Sequence, residues 1–301
     1  MIKKRKHNRK IEDKAPINLK VTEEAELMAF LIEKLSNKNR NNVKSLLRNR
    51  QVAVNGMLVS QFNHPLKPND DIEIRWNRGL DSSHYRGLQI IFEDEHLIVI
   101  NKSEGLLSIS TDNKDQRNAY GILREHVKVQ SSMNKIFIVH RLDRETSGIM
   151  MFAKSEEVQS LLQDWWHSTA KERFYLALVE GEVKQQTGTI TSYLAENAAF
   201  VVYSTKNPKD GQKAVTNYEV LKSNRNFSLL KVKLDTGRKN QIRVHCQDIG
   251  HPIVGDKKYG ANYNPIGRVG LHAWVLGFEH PITGEYLRFE TPIPRKFSEV
   301  F

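Results

Sequence analysis

Apolar residues recur at helical spacing at Leu27, Met28, Leu31 and Leu35, which predicts a helix over residues 23–35. A second, shorter helix is predicted over 41–49, with Val43, Leu46 and Leu47 on its inner face. A short strand follows at Val52 to Val54. Asn55-Gly56 then gives the dipeptide most characteristic of a two-residue hairpin. Residues 71–75 read as a closing strand. Beyond a polar stretch at 77–87 the pattern shifts to short apolar runs. Strands are predicted at 89–92 and 97–100, broken by Asp94-Glu95-His96, and at 136–139, 149–153 and 174–179. A short helix is expected near 120–127. Another follows Ser155 as N-cap, with Glu156 and Glu157 in its first turn and an apolar stripe of Val158, Leu161, Leu162 and Trp165 running to about Thr169. Further strands run to Leu234, and two more are predicted at 271–278 and 286–290. There is no internal repeat. Strands outnumber helices without regular alternation, so the body reads as mixed α+β with a mainly antiparallel sheet.

Charge adds a division that the pattern alone does not show. The 301 residues carry a net charge of +11. Residues 1–79 hold 17 Lys and Arg against 9 Asp and Glu, while the remainder of the chain is close to neutral at +3. Lys3, Lys4, Arg5 and Lys6 open a polar arm, and Arg40, Lys44 and Arg48 stand four apart on the outer face of the second predicted helix. Such a basic module suggests a polyanion partner. On charge alone, a nucleic-acid partner and a merely soluble basic surface weigh equally. The single cysteine, Cys246, excludes an internal disulfide framework and a Cys-rich zinc site. No apolar run reaches the length of a membrane span, and the basic N-terminal residues lead into no apolar core of a secretory signal. A cytoplasmic protein is expected, with no membrane partner and no metal.

The most polar and specific segment is "HRLDRETSG", His140 to Gly148, between two apolar strands. Strands at both ends hold such a loop on a rigid scaffold. Arg141 and Arg144 flank Asp143, and cations nearby favour a carboxylate's charged form, which can act as a nucleophile. By themselves these residues fit a salt-bridged structural loop as well as a catalytic one. His245, Cys246 and His251 lack a fourth ligand at suitable spacing, so they read as structural. Trp165-Trp166 reads as core and interface. No Gly-rich phosphate loop accompanies "HRLD", and "GDKKYG" lacks the end of a P-loop.

Two resemblances sharpen this picture. "NNVKSLLRN", "VAVNG" and "LKPNDDIEI" resemble an S4 RNA-binding domain over about residues 18–76. That resemblance implies RNA contacts from Arg40, Lys44, Arg48 and Asn55, and the charge of the arm at 1–17, outside the resemblance, suits it to tracking phosphates. The loop at 140–148 resembles the H-R-L-D-x-x-T-S-G motif of the RluA/RluD family of pseudouridine synthases. "RFYLALVEG" (173–181) and "TGRKNQIRVHCQDIGHPIVGDKKYG" (236–260) resemble that family's second and third motifs, in the same order. The family similarity runs over about residues 88–295. Ser103, Arg173 and Asn240 depart from the family pattern, which usually has Pro, Lys and His there. Ser103 in place of proline implies the loss of a rigid turn.

The resemblance implies a pseudouridine synthase fold over 88–301, joined through a linker at 77–87 to the small α+β module. It implies isomerisation of uridine in structured RNA without cofactor or metal. Asp143 would be the nucleophile, Arg243 would pair with it, and Tyr175 would stack on the uracil. Arg141 would fill the space left by the flipped base, and Leu142, His140 and Ile242 would help bind the substrate. Ribosomal RNA, of the large subunit, is the expected partner and a monomer the expected state. A transfer-RNA enzyme and a non-catalytic RNA-binding or ribosome-assembly factor are the alternatives.

Overall fold

The structure is a computed structural model and describes residues 16–35, 38–48, 51–55, 57–59, 61–74, 84–110, 117–131, 133–164 and 172–301. Lys3, Lys4, Arg5 and Lys6, the side chain of Arg48, Gly56, the expected linker at 77–83 and Trp165-Trp166 lie outside these residues. The chain divides into two compact units, Met1–His84 and Tyr85–Phe301.

The first unit contains β1 (Ile17–Lys20), β2 (Ala25–Glu26), α1 (Leu27–Lys34), α2 (Arg40–Arg48), β3 (Val52–Val54), β4 (Met57–Leu58), β5 (Pro65–Leu66) and β6 (Asp71–Ile74). A sheet ordered β1-β6-β3-β4 packs with both helices around Leu27, Leu31, Val43, Leu47, Val52 and Ile72. Helix α1 begins at Leu27, four residues later than its periodicity predicts, because Ala25 and Glu26 pair instead with β5. Its first amides have no side-chain cap. Leu27 N and Met28 N donate to the carbonyls of His64 and Phe62, which satisfies donors that the helix itself cannot. The outer face of α2 leaves Arg40 and Lys44 exposed. Asn55 takes the left-handed backbone of the hairpin turn, at φ 50°. Both ends of its side-chain amide are engaged within the unit. Nδ2 donates to Asp70, and Oδ1 accepts from Asp71 N.

The second unit contains β7 (His84–Tyr85), β8 (Leu88–Glu93), β9 (Leu97–Lys102), α3 (Ala119–Gln130), β10 (Phe137–Ile138), β11 (Ser147–Ala153), α4 (Glu156–Asp164), β12 (Glu172–Glu180), β13 (Thr187–Glu196), β14 (Val202–Thr205), β15 (Gln212–Ser223), β16 (Phe227–Leu234), α5 (Gln241–Asp248), β17 (Leu271–Glu279), β18 (Tyr286–Glu290) and α6 (Arg295–Ser298). Residues 84–87, expected as the end of a linker, therefore form β7 and the turn into β8. Among the described residues the strands make one 12-stranded sheet, ordered β14-β13-β15-β16-β12-β17-β11-β9-β8-β7, with β10 on β11 and β18 on β17. Every register described is antiparallel except a short parallel contact of β11 with β17. The fold is thus mixed α+β on a mainly antiparallel sheet.

Period-two alternation lets the central strands serve both faces. Ile98, Ile100, Met150 and Phe152 pack with Leu123 and Val127 of α3, while Leu97, Val99, Ile149 and Met151 pack with Val158 and Leu162 of α4. Further along the sheet, Ala177 and Val179 of β12 pack with Ile242 and Cys246 of α5, and Leu176 and Leu178 pack with Phe297 of α6. Tyr175 belongs to both the α3 and the α5 clusters. It marks where those two helical layers meet on one face of the sheet.

Candidate active site

The loop from His140 to Ser147 leaves the sheet between β10 and β11 and is clamped from below by residues 102–108. The Ser108 hydroxyl donates to Leu142 O at 2.6 Å and accepts from Leu142 N at 3.1 Å. Gly105 N donates to Arg144 O, and Arg144 Nε returns a bond to Gly105 O. Lys102, fully buried, donates to the carbonyls of Leu106, Ser103 and Arg144. Burial pushes its ammonium down to about 8, against the charge of Asp143, which favours the proton. At the loop's far end Gly148 has φ 112°, and a Cβ there would sit 2.1 Å from Ala273 O. Glycine is therefore required where β11 meets β17.

Thr146 N closes a turn on Asp143 O, and the Asp143 carboxylate is left partly exposed, at 29%. Its nearest cation is Arg243 Nη1, 3.6 Å from Oδ2. The main partner of Arg243 is a residue to which sequence reasoning gave no role. Asp256 receives Arg243 Nε at 2.6 Å and Nη2 at 2.7 Å, a two-pronged charged pair that fixes the guanidinium plane. Nη1 also donates to Asn240 Oδ1, and the guanidinium lies 4.9 Å from the centre of the Tyr259 ring. Burial works against the Arg243 charge, but the hydrogen bonds to Asp256 and the charges of Asp256 and Asp143 hold its proton more tightly than usual. Asp256 and Tyr259 both stand in the segment "GDKKYG". Their only sequence signal was a place in a motif that offered them no chemistry of their own.

The α5 side chains are set by what precedes them. Asn240 adopts left-handed backbone at φ 54°, a conformation asparagine tolerates better than most residues. Its Nδ2 reaches Tyr259 Oη at 3.0 Å. The departure from histidine at 240 thus has a structural use: one amide braces both Arg243 and Tyr259. Gln241, buried, donates to Val215 O and Thr216 Oγ1 and accepts from Thr236 and Arg238, which ties α5 to the sheet. Ser103 is explained as well. Its amide donates to Gly87 O at 2.8 Å, a bond that proline could not make. The rigid turn expected to be lost is replaced by one more rung between the strands.

Tyr175 sits where the register of β12 on β17 slips, between Phe174 and Tyr175. Such a bulge re-aims a side chain. Burial raises its phenol above the ordinary value, with Arg173 opposing and Asp143 adding to the shift, so it stays protonated.

These groups line one cleft of about 260 Å3, together with Arg141, Leu142, Thr146, Arg238, Lys239, Ile242 and Leu271. Asp143, Tyr175, Arg243, Arg141, Leu142 and Ile242 are therefore brought together. His140 is not among the lining residues, contrary to its expected place beside the substrate. Its Nε2 accepts from Met151 N, and burial, assisted by Arg173, pushes the imidazole down to about 3. It is a neutral brace for the root of the loop. Arg40, Lys44 and Asn55 belong to the other unit. Among the described residues no cluster of His, Cys, Asp and Glu is suited to a metal ion, and no helix is long and apolar enough to cross a membrane.

Comparison with known proteins places this cleft in context. Residues 96–248 match the family model described as RNA pseudouridylate synthase. The chain is 33% identical over 278 residues to the uncharacterized RNA pseudouridine synthase YlyB of Bacillus subtilis, covering 90% of this chain and 91% of that one. It is 33% identical over 227 residues to ribosomal large subunit pseudouridine synthase D of Haemophilus influenzae, covering 71% and 69% of the two chains. Among solved structures, human RNA pseudouridylate synthase domain containing 4 superposes with a TM-score of 0.58 at 25% identity, covering 71% of this chain and 90% of that one.

Proposed function

The chain belongs to the RNA pseudouridylate synthase family and is an RNA-modifying isomerase; from that premise we propose that Asp143 is its nucleophile and that its target is a uridine in large-subunit ribosomal RNA. The observation that carries the first part is the partly exposed Asp143 carboxylate in a cleft, 3.6 Å from a guanidinium that Asp256 holds in place. The reaction breaks the C1′–N1 bond of uridine, turns the uracil, and joins C1′ to C5. A proton leaves C5 and N1 regains one, so no atom is added. An anionic oxygen beside C1′ serves whether it bonds to the nucleoside or assists base departure. Arg243, 3.6 Å away, orients that oxygen.

Tyr175, protonated and aimed by its bulge, offers a stacking face to the uracil and a proton relay near C5. Ile242 and Leu142 supply apolar walls. A cleft of about 260 Å3 is smaller than most small-molecule pockets, and it suits one nucleotide extruded from its stack. Arg141, exposed at the rim, is placed to occupy the gap the base leaves.

The ribosomal assignment rests on similarity to a large-subunit enzyme and on the basic first unit. That unit, with its small sheet, two helices and exposed Arg40 and Lys44, is read as an S4-like module that grips folded RNA.

The test is to map pseudouridines in ribosomal and transfer RNA from a strain lacking the gene, then supply wild-type or Asp143→Ala protein. One or more large-subunit positions should lose pseudouridine, and only the wild type should restore them. Loss confined to transfer RNA overturns the target, and restoration by Asp143→Ala overturns the nucleophile.

A further inference from the structure

The hairpin between β13 and β14 carries a feature that the fold does not use. Phe200 sits at its tip with 72% of its surface exposed and takes left-handed backbone at φ 57°. A bulky residue is disfavoured there, where asparagine or glycine turns the corner with less strain. A ring left in water also contributes no burial. The tip is nonetheless firmly built. Asn197 Oδ1 accepts from Ala199 N and Val201 N, Phe200 N donates to Asn197 O, and Asn197 N donates to Val201 O. At its root, Val202 packs with Val244 of α5 and with Tyr259, the ring on which Arg243 lies. The turn is therefore anchored to Tyr259, the ring against which Arg243 lies.

Two lysines meet the turn, one at its backbone and one near the ring. Lys258 Nζ donates to Phe200 O at 3.0 Å. Lys239, which lines the cleft with Asp143, has its Nζ 6.0 Å from the ring centre and pairs with Glu196. At that distance and exposure the contact does little for stability. A solvent-facing aromatic ring on a braced turn, with a cleft-lining lysine 6.0 Å from its centre and a second lysine on its backbone, matches the composition of a platform for single-stranded nucleic acid, in which a base stacks and the neighbouring phosphates meet cations.

We propose that Phe200 is a stacking platform for a nucleobase flanking the target uridine, with Lys239 and Lys258 meeting the adjacent phosphates. This rests on the reading of the cleft as the uridine site and extends it to the nucleotide next to the one modified. Stacking selects an unpaired base without reading its identity. The hairpin thereby favours uridines in loops or at helix ends over those within a continuous duplex.

The experiment compares wild type, Phe200→Gly, Phe200→Tyr and Phe200→Trp. Each is assayed for pseudouridine formation in RNA from cells lacking the gene, for binding of a single-stranded oligouridylate carrying 2-aminopurine, and for thermal stability. Phe200→Gly should raise KM about tenfold, with the loss in KM rather than kcat, and should abolish the quenching of 2-aminopurine. Its melting temperature should equal or exceed that of wild type, because a strained residue has been relieved. Phe200→Tyr and Phe200→Trp should keep KM and quenching close to wild type. An unchanged KM and unchanged quenching in Phe200→Gly overturn the proposal. So does a lowered melting temperature with losses in both kcat and KM, which marks a structural residue. If wild type forms no pseudouridine, the parent reading fails, and the quenching comparison still decides whether Phe200 stacks on a base.

Discussion

Arg243 is held between two carboxylates of different character. Asp256 is almost fully buried and takes both prongs of the guanidinium, while Asp143 is partly exposed and meets only one nitrogen at 3.6 Å. Asp256 thus fixes the cation and leaves Asp143 free to meet a substrate. Asp256→Asn removes the charge while keeping the shape, and it should act through the position of Arg243. The single-turnover rate should fall about a hundredfold, as for other small misplacements of catalytic groups. Urea unfolding should show a loss of about 3 kcal/mol for a broken buried pair. Equal loss of stability with an unchanged rate would show that Arg243 needs no such support. The resemblance singled out Asp143, Tyr175 and Arg243, and all three line the cleft. It did not single out Asp256, Tyr259 and Asn240 in this way, because their work is to brace a neighbour, and nothing in residue type or spacing announces a neighbour that arrives through the fold. His140 shows the converse: a polar motif residue whose place is inside the scaffold, bonded to Met151 N.

Between elements, the loop from His140 to Ser147 depends on the strands and on the segment at 102–108 that carries it. Long periodic segments such as α2, β9, β11 and β12 could be read from hydrophobic pattern because their own burial decides them. The start of α1 could not, since β5 captures the two residues before it. β10 is also shorter than its apolar run, pairing with β11 only at Phe137 and Ile138. A polar tie joins β8 to α3 and to the end of β11. Glu93 accepts from His126 Nε2 and Lys154 Nζ, each at 2.7 Å. Burial alone would raise the Glu93 carboxyl, but these two hydrogen bonds outweigh it and hold the group down at about 2, from 4.5. A lowered carboxylate stabilises the fold above its unfolded value and loses that contribution as pH falls through the folded one. The stability difference between wild type and Glu93→Gln should therefore be full above pH 4.5 and vanish as pH falls towards about 2, by denaturant titration at each pH. A difference that does not change across that window would assign the tie to shape rather than charge.

At the scale of the whole molecule, charge and chemistry are divided between two units. Most of the excess positive charge lies in residues 1–79, and the cleft belongs to the second unit. The mixed α+β class and the order of motifs were legible from sequence. That the α3 and α5 layers meet at Tyr175 was not, because it depends on the order of strands across the sheet, which pattern does not encode. If the first unit contributes by neutralising phosphates, Arg40→Ala and Lys44→Ala should each lower the slope of log affinity against log salt by about one. A slope equal to wild type in both would remove that unit from RNA binding. The proposed isomerisation depends on one carboxylate oxygen of Asp143. Asp143→Asn preserves the shape of the loop and removes its charge, and release of tritium from C5-labelled uridine in RNA reports the isomerisation directly. Under single turnover the rate should drop on the order of a thousandfold or more, with RNA affinity unchanged. Release at the wild-type rate by Asp143→Asn would show that Asp143 is not the nucleophile.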